Sequence, residues 1–298
     1  MSKRREVQKR LSMLHEIDGI MVAMKNLALL EVHKLEAFLA TQRRAVASIE
    51  KAAQDFLGFY PQTTARAEGG AQQLLLAIGS ERGFCGDFNE ALLEPIDLAL
   101  KDNGTLLVAV GRRLAAKLQD GRYPEVLDDT GGSQPFSKPG SASKIAAFVE
   151  GPSVAEEIQA ALVRVAGILS ELQKHPEAAW RLSVLYHDDK SGTVRARQLL
   201  PLAAPVEKPA YPHAPMLNLE PSQFLSQLTD QYFYAALHEV FYASLMAENR
   251  KRLEHMESAI RRLEKDEAKL RQRSNALRQE EIIEEIEIIM LSVEALSG

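Results

Sequence analysis

Between Pro221 and Gly298 the chain holds no proline and no glycine. Those two residues are the usual helix breakers, so this run predicts one long helix. Its apolar residues repeat every seven positions: Leu228, Ala235, Tyr242, Asn249, Met256, Leu263, Leu270 and Leu277. A companion series runs Tyr232, Glu239, Met246, Leu253, Ile260, Glu267 and Ser274. Together they give the 4-3 spacing of a left-handed coiled coil. Glu239, Asn249 and Glu267 are polar entries that should weaken the seam locally and leave some freedom to twist. Ser222 is the expected helix cap.

The other end of the chain repeats the theme. Residues 2–57 contain no proline and one glycine, Gly19. Val7, Leu11, Leu14, Met21, Ala28, Val32, Leu35 and Leu39 fall on one helical stripe, interrupted by Asp18 and Lys25. Such a helix, about 80 Å long at 1.5 Å per residue, does not fit inside a small globule.

The middle has a different texture. Leu74–Gly79, Thr105–Gly111, Trp180–His187 and Val194–Leu202 are short apolar runs that read as strands. Helical patterns lie at 88–102 and 153–174, the second opening on a capping box, Ser153-x-x-Glu156. Strands alternating with helices predict a parallel α/β sheet. Asp129–Ser143 reads as a flexible loop. Pro205, Pro209, Pro212, Pro215 and Pro221 mark a linker. The expected organisation is an N-terminal coiled-coil helix (1–57), an α/β domain (70–205), a linker (206–221) and a C-terminal coiled-coil helix (222–298). The fold class is therefore α/β plus a long antiparallel coiled coil, with a Rossmann-like α/β domain inserted between its helices. The last helix should overhang the first by about 20 residues, or about 30 Å.

Charge and composition narrow the function. The net charge is −5, with 10 basic and 7 acidic residues over 1–57 but 10 basic and 15 acidic over 210–298. No basic face for nucleic acid emerges from this pattern. No apolar stretch approaches the length of about 20 residues needed to span a bilayer, so direct membrane insertion is not expected. The charged start MSKRREVQKRL lacks the apolar region of a secretory signal. A single cysteine, Cys85, excludes an intramolecular disulfide and a cysteine-based metal site.

Few residues could carry chemistry. The turn Gly79-Ser80-Glu81-Arg82-Gly83-Phe84-Cys85-Gly86 follows a strand and opens a helix, where backbone N–H groups can hold phosphate. Its spacing matches neither a dinucleotide fingerprint nor a P-loop, and the P-loop lysine is missing. A tight turn needing three glycines is the plainer reading. Cys85 reads as a buried small residue rather than a nucleophile. The seven histidines form no metal-binding pair. His187-Asp188-Asp189 reads as a solvated turn at a strand end. No cofactor or metal is expected. The stretch Glu280–Glu287, EEIIEEIE, continues into Ile288, Ile289, Met290 and Leu291, and an end this apolar calls for a cover.

Four stretches, in order, resemble the gamma subunit of F-type ATP synthases, the central rotor shaft. Arg10-Leu-Ser-Met-Leu through Ala23-Met24-Lys25 is similar to that family's N-terminal helix. Ile78-Gly-Ser-Glu-Arg-Gly-Phe-Cys-Gly-Asp-Phe-Asn89 is similar to its first strand and turn. Leu199-Leu-Pro-Leu202 and Glu220-Pro221 resemble the strand end and the start of the last helix. Asn275-Ala-Leu-Arg278-Gln279-Glu-Glu-Ile282 resembles its C-terminal motif.

The resemblance implies a noncatalytic subunit that couples ion-driven rotation of a membrane c-ring to ATP synthesis or hydrolysis at alpha/beta sites. The implied partners are the alpha and beta subunits, the epsilon subunit and the c-ring. The implied location is peripheral, on the cytoplasmic face of a bacterial inner membrane. Met24, Lys25, Arg278, Gln279 and Ile289 are the implied contacts with alpha and beta, and Glu220 the implied contact with the c-ring. Gly19–Val22, Asp87, Leu217, Leu219 and Ile283 depart from the family pattern and suggest a divergent branch, such as the sodium-translocating one. Two other classes fit the layout: an α/β small-molecule protein dimerised by its coil, and a plain coiled-coil tether. Co-purification with alpha and beta subunits discriminates them.

Overall fold

The computed structural model describes residues 3–61, 72–102, 104–119, 144–172, 180–202 and 212–297. The order is α1 (Lys3–Phe59), β1 (Gln72–Ile78), α2 (Glu90–Ala99), β2 (Thr105–Val110), α3 (Arg112–Gln119), β3 (Ile145–Val149), α4 (Ile158–Leu172), β4 (Trp180–His187), β5 (Val194–Leu200) and α5 (Pro221–Ser297). The chain divides into two compact units, Met1–Ala28 with Arg252–Gly298, and Leu29–Lys251.

The first unit is a two-stranded coil. From α1 it covers the stripe predicted from sequence: Val7, Leu11, Leu14, Asp18, Met21 and Lys25 are half-buried and Ala28 is buried. From α5 it covers Met256, Ile260, Leu263, Glu267, Leu270, Ser274 and Leu277. The 4-3 repeat thus does what its period predicts, turning one face of each helix to the other. Ion pairs flank the seam, Lys25 with Glu257 at 3.0 Å and Arg4 with Glu281 at 2.9 Å. After Glu281, each residue through Ser292 is exposed.

The second unit is built on a five-stranded sheet in the order β3-β2-β1-β4-β5. The first four strands run parallel, as alternating strands and helices predict. β5 runs antiparallel to β4, which corrects the all-parallel expectation. Only six residues separate the two strands, too few for a parallel crossover, so a hairpin is the only solution. One core cluster fills the space between the sheet and α2 and α3, through Leu75, Ala77, Leu92, Ile96, Leu107, Leu114 and Leu118. Within this unit α1 buries Val32, Leu35, Leu39, Val46 and Phe56, and α5 buries Tyr232, Ala236, Val240, Phe241 and Met246. Phe56 meets Phe224 in a tilted pair with ring centroids 4.9 Å apart, and Phe38 stacks on Tyr242 at 5.8 Å.

Two local expectations are corrected. Pro221 is the first residue of α5, so Ser222 sits inside the first turn rather than capping it; a fixed φ and a missing N–H suit proline to that place. Ser153 donates its backbone N–H to Glu157 Oε2 at 2.7 Å rather than to Glu156, because a 3-10 turn at Ala155–Glu157 shifts the box by one residue. Glu156 is instead held 3.0 Å from Lys34 of α1. The predicted loop Asp129–Ser143 lies outside the described residues.

Candidate functional site

The turn after β1 was the strongest candidate for a ligand cradle, and its own side chains fill it. Asn89, just before α2, accepts the Ser80 N–H at 2.9 Å and donates to Ser80 Oγ at 2.8 Å. Glu81 takes the position an anion would need. Its Oε2 accepts the backbone N–H of Arg112 at 3.1 Å and of Gly151 at 2.9 Å, and its Oε1 lies 2.6 Å from Arg112 Nε. These N–H groups follow β2 and β3 at the carboxyl ends of the strands, where open α/β sheets bind phosphates. A side-chain carboxylate already accepts from both, so these N–H groups are taken before an anion could use them.

The glycines of this turn have separate reasons. A Cβ on Gly79 would lie 2.4 Å from Leu114 Cβ and 2.8 Å from Asn89 Oδ1, so α3 packs directly on its backbone. Gly86 has φ 62°, which glycine adopts without strain. Gly83 meets only the flexible Arg113 side chain, at 3.4 Å, so the turn requires two glycines and not three. Phe84 also takes a positive φ, 65°, and leaves its ring exposed. Cys85 is buried, as expected, with its Sγ 3.3 Å from Ser80 Oγ.

The His187-Asp188-Asp189 turn is buried, which corrects the solvated reading. It is the joint between the β4–β5 hairpin and the two long helices of this unit. Arg43 of α1 pairs with the Asp189 carboxylate. Arg250 of α5 donates to the Asp189 carbonyl at 2.6 Å and to Glu36 of α1 at 3.1 Å. Arg197 on β5 binds Glu239 at 2.9 Å and Glu50 at 2.7 Å, and Tyr232 donates to Glu50 at 3.3 Å. Glu239, read as a weak point of the seam, is thus held by arginines from two other elements. Asn249 is buried too, its amide donating to the Leu245 carbonyl at 2.9 Å.

Burial opposes ionisation of Asp188, yet hydrogen bonds from Ser191 and the nearby Arg195 and Arg43 hold its carboxyl below the ordinary value. His187 lies between the carbonyls of Phe88, at 2.8 Å, and Gly192, at 3.4 Å, and stacks on the Phe88 ring at 3.8 Å. Burial pushes its pKa down from 6.5. Among the described residues no three His, Cys, Asp or Glu side chains are grouped to hold a metal, and no helix is long and apolar enough to cross a membrane.

The residues singled out by sequence as partner contacts are dispersed. Met24 is half-buried on α1, and Lys25 is engaged with Glu257. Arg278 and Gln279 are exposed on α5, about 20 residues or about 30 Å of helix beyond Glu257. Ile289 is 60% exposed, in a stretch where Ile282, Ile283, Ile286, Ile288, Met290 and Leu291 are exposed as well. Glu220 is exposed immediately before α5. None of them forms a reactive cluster. The arginine-rich joint escaped sequence reasoning, because its partners are scattered over α1, the hairpin and α5 and share no motif.

A family model described as ATP synthase matches residues 3–296. No curated protein sequence matches the chain. Among solved structures, the fold is similar to a chain of the Tetrahymena thermophila mitochondrial ATP synthase central stalk/c-ring, with TM-score 0.56 and 20% identity, covering 80% of this chain and 99% of that one. It is also similar to a chain of the Euglena gracilis mitochondrial ATP synthase rotor in rotational state 1, with TM-score 0.59 and 13% identity, covering 94% and 98%. A chain from the Euglena gracilis OSCP/F1/c-ring assembly in rotational state 3 gives TM-score 0.59 at 12% identity, covering 98% and 94%.

Proposed function

The chain belongs to the gamma-subunit family of ATP synthases, and on that premise we propose that it is the central rotor shaft of an F-type ATP synthase, a noncatalytic subunit. It couples rotation of a membrane c-ring to ATP synthesis or hydrolysis in surrounding alpha and beta subunits. The observation that carries this reading is the bare end of α5. From Ile282 to Leu291 the helix exposes seven large apolar residues that none of the described residues covers. Apolar surface on this scale marks an interface. Contacts of this kind are nonspecific and exchange at little cost, which suits a shaft turning in an apolar sleeve.

Several features favour a noncatalytic role. The crevice at the strand ends is occupied by Glu81, and the P-loop lysine is missing from the turn. In this reading Arg278, Gln279 and Ile289 meet alpha and beta subunits near the tip, and Met24 and Lys25 meet them lower on the coil. Glu220 faces the c-ring loops and the epsilon subunit sits beside the α/β domain. The location is peripheral, at the cytoplasmic face of a bacterial inner membrane. The joint of Arg43, Arg197 and Arg250 supports torque transfer, since it ties the hairpin of the α/β domain to both helices.

Affinity purification of the full chain from its own cells tests this reading. Alpha and beta subunits should accompany it in stoichiometric amounts, and the chain alone should hydrolyse no nucleotide. Recovery as a homodimer without them, with turnover that responds to substitution of Arg82 or Cys85, would mean that the α/β domain is an enzyme.

A further inference from the structure

The sheet of the second unit has two faces, and one of them is packed incompletely. Successive side chains on a strand alternate between faces. Leu75, Ala77 and Leu107 belong to the core shared with α2 and α3, so Leu74 of β1 lies on the other face. Its register partner is Leu182 of β4, which pairs in turn with Leu200 of β5. These three leucines line a cavity of about 190 Å³, together with Ala166 and Leu169 of α4 and Phe233 of α5. A dry apolar cavity of about 150 Å³ is enough to hold benzene.

One polar group of this cavity lacks a partner. Trp180, the first residue of β4 and the one tryptophan of the chain, lines the cavity. Its indole Nε1 is buried and has no hydrogen-bond partner among the described residues. Buried tryptophan N–H groups ordinarily find an acceptor, and leaving one unpaired is destabilising. An acceptor brought from outside the chain removes that penalty. Thr229, half-buried, and Asp230, exposed, form the polar edge of the cavity. A second recess, of about 350 Å³, shares these two residues and is otherwise lined by Ser222, Leu225 and Ser226. It gives a way in from solvent. The described linings of both hold one carboxylate and no basic side chain, so an anion is disfavoured.

We propose that this cavity binds a small uncharged aromatic molecule of the phenol class, one ring carrying an oxygen. The oxygen accepts a hydrogen bond from the Trp180 indole N–H, and its own proton is offered to the polar edge at Thr229 and Asp230. The volume limits the ligand to a single ring with one or two small substituents. Trp180 and Phe233 favour an aromatic body over a branched aliphatic one, because rings pack well edge-on or offset against rings. Water is a poor tenant, since it needs two to four polar partners and most of this lining is apolar. The bound molecule touches α4, the sheet and the early turns of α5 together, and so stabilises this unit. The inference does not rest on the rotor reading.

Nitrogen-15 NMR of the full chain tests it, because one tryptophan gives one indole N–H resonance. Phenol is titrated in, with toluene, similar in size but without an acceptor, and benzoate as comparisons. Phenol should move the indole proton downfield in a saturable way and raise the unfolding temperature. Toluene should bind at least about fivefold more weakly and give no downfield shift. Benzoate should bind at least tenfold more weakly than phenol. Ala166→Leu and Thr229→Leu each narrow the cavity and should abolish the response to phenol while circular dichroism stays native. Trp180→Phe should weaken phenol binding, read by calorimetry, at least about fivefold. A response that never saturates, or toluene binding as tightly as phenol, would overturn the proposal. So would an indole proton already hydrogen-bonded in the ligand-free chain, or phenol binding that survives both cavity-narrowing substitutions.

Discussion

The guanidinium of Arg4 lies 2.9 Å from the carboxylate of Glu281, 277 residues away in sequence. This contact sets the register of the coil in the first unit: the basic start of α1 faces the acidic stretch of α5, and among the described residues no helix lies opposite those after Glu281. Each partner is about a third exposed, so the pair itself contributes only about 0.2–1 kcal/mol. Its importance is alignment, which flanking charges commonly set in coiled coils.

That register is directly testable by disulfide trapping. Arg4→Cys with Glu281→Cys should crosslink under mild oxidation, whereas Arg4→Cys with a cysteine at position 296 should not. Trapping at 296 would mean that the helices end flush and that no tip stands free.

The anion-like position of Glu81 predicts a stability effect without a catalytic one. Glu81→Ala removes the acceptor for the Arg112 and Gly151 N–H groups. The Arg112 N–H is exposed and can turn to water, whereas Gly151 is buried, and leaving one buried donor unpaired costs about 1–3 kcal/mol, the loss expected in urea unfolding. Glu81→Gln keeps one carbonyl acceptor and should lose about half as much.

The joint between hairpin and helices predicts coupling between charges. Arg197→Met leaves Glu239, which is only 16% exposed, with Arg43 at 3.6 Å as its remaining cation, and should cost about 1–2 kcal/mol, between the values for exposed and buried pairs. Adding Glu239→Gln should recover part of that loss, and a double-mutant cycle by denaturant titration measures how much. Strictly additive losses would mean that the two side chains act independently.

His187 predicts an acid-sensitive α/β domain. Burial lowers its folded pKa below 6.5, with Lys251 acting in the same direction and the Phe88 and Gly192 carbonyls and Asp87 opposing. The unfolded chain therefore binds a proton first as pH falls. The stabilising contribution is complete above about pH 6.5 and is lost as pH drops through that value towards the folded pKa. Unfolding free energies measured from pH 8 to pH 5 should fall with acid in the natural chain, and the slope should flatten in His187→Gln.

Much of this architecture can be read from spacing alone. The seven-residue series on α1 and α5 names the covered residues of the coil nearly one for one, because a coiled-coil seam is a one-dimensional pattern. β2 and β4 are equally plain, being apolar runs bounded by glycine or charge. α3 and β3 were missed: each is short, eight and five residues, and amphipathic helix and strand are hard to tell apart at that length. The direction of β5 was legible in principle from the six-residue connection but was overruled by the alternation of elements. The burial of His187, Asp188 and Asp189 was not legible, since charged turn residues are normally solvated. Their partners, Arg43 and Arg250, come from helices far away in sequence.

The rotor role itself is tested most directly by watching the shaft turn. The assembly is fixed to a surface through its alpha and beta subunits, a bead is attached to the α/β domain of this chain, and ATP is added. A shaft should rotate the bead steadily in one direction while ATP is hydrolysed, and a disulfide between Ile289→Cys and the sleeve should stop both rotation and turnover. Sustained ATP hydrolysis with a stationary bead would contradict the rotor reading.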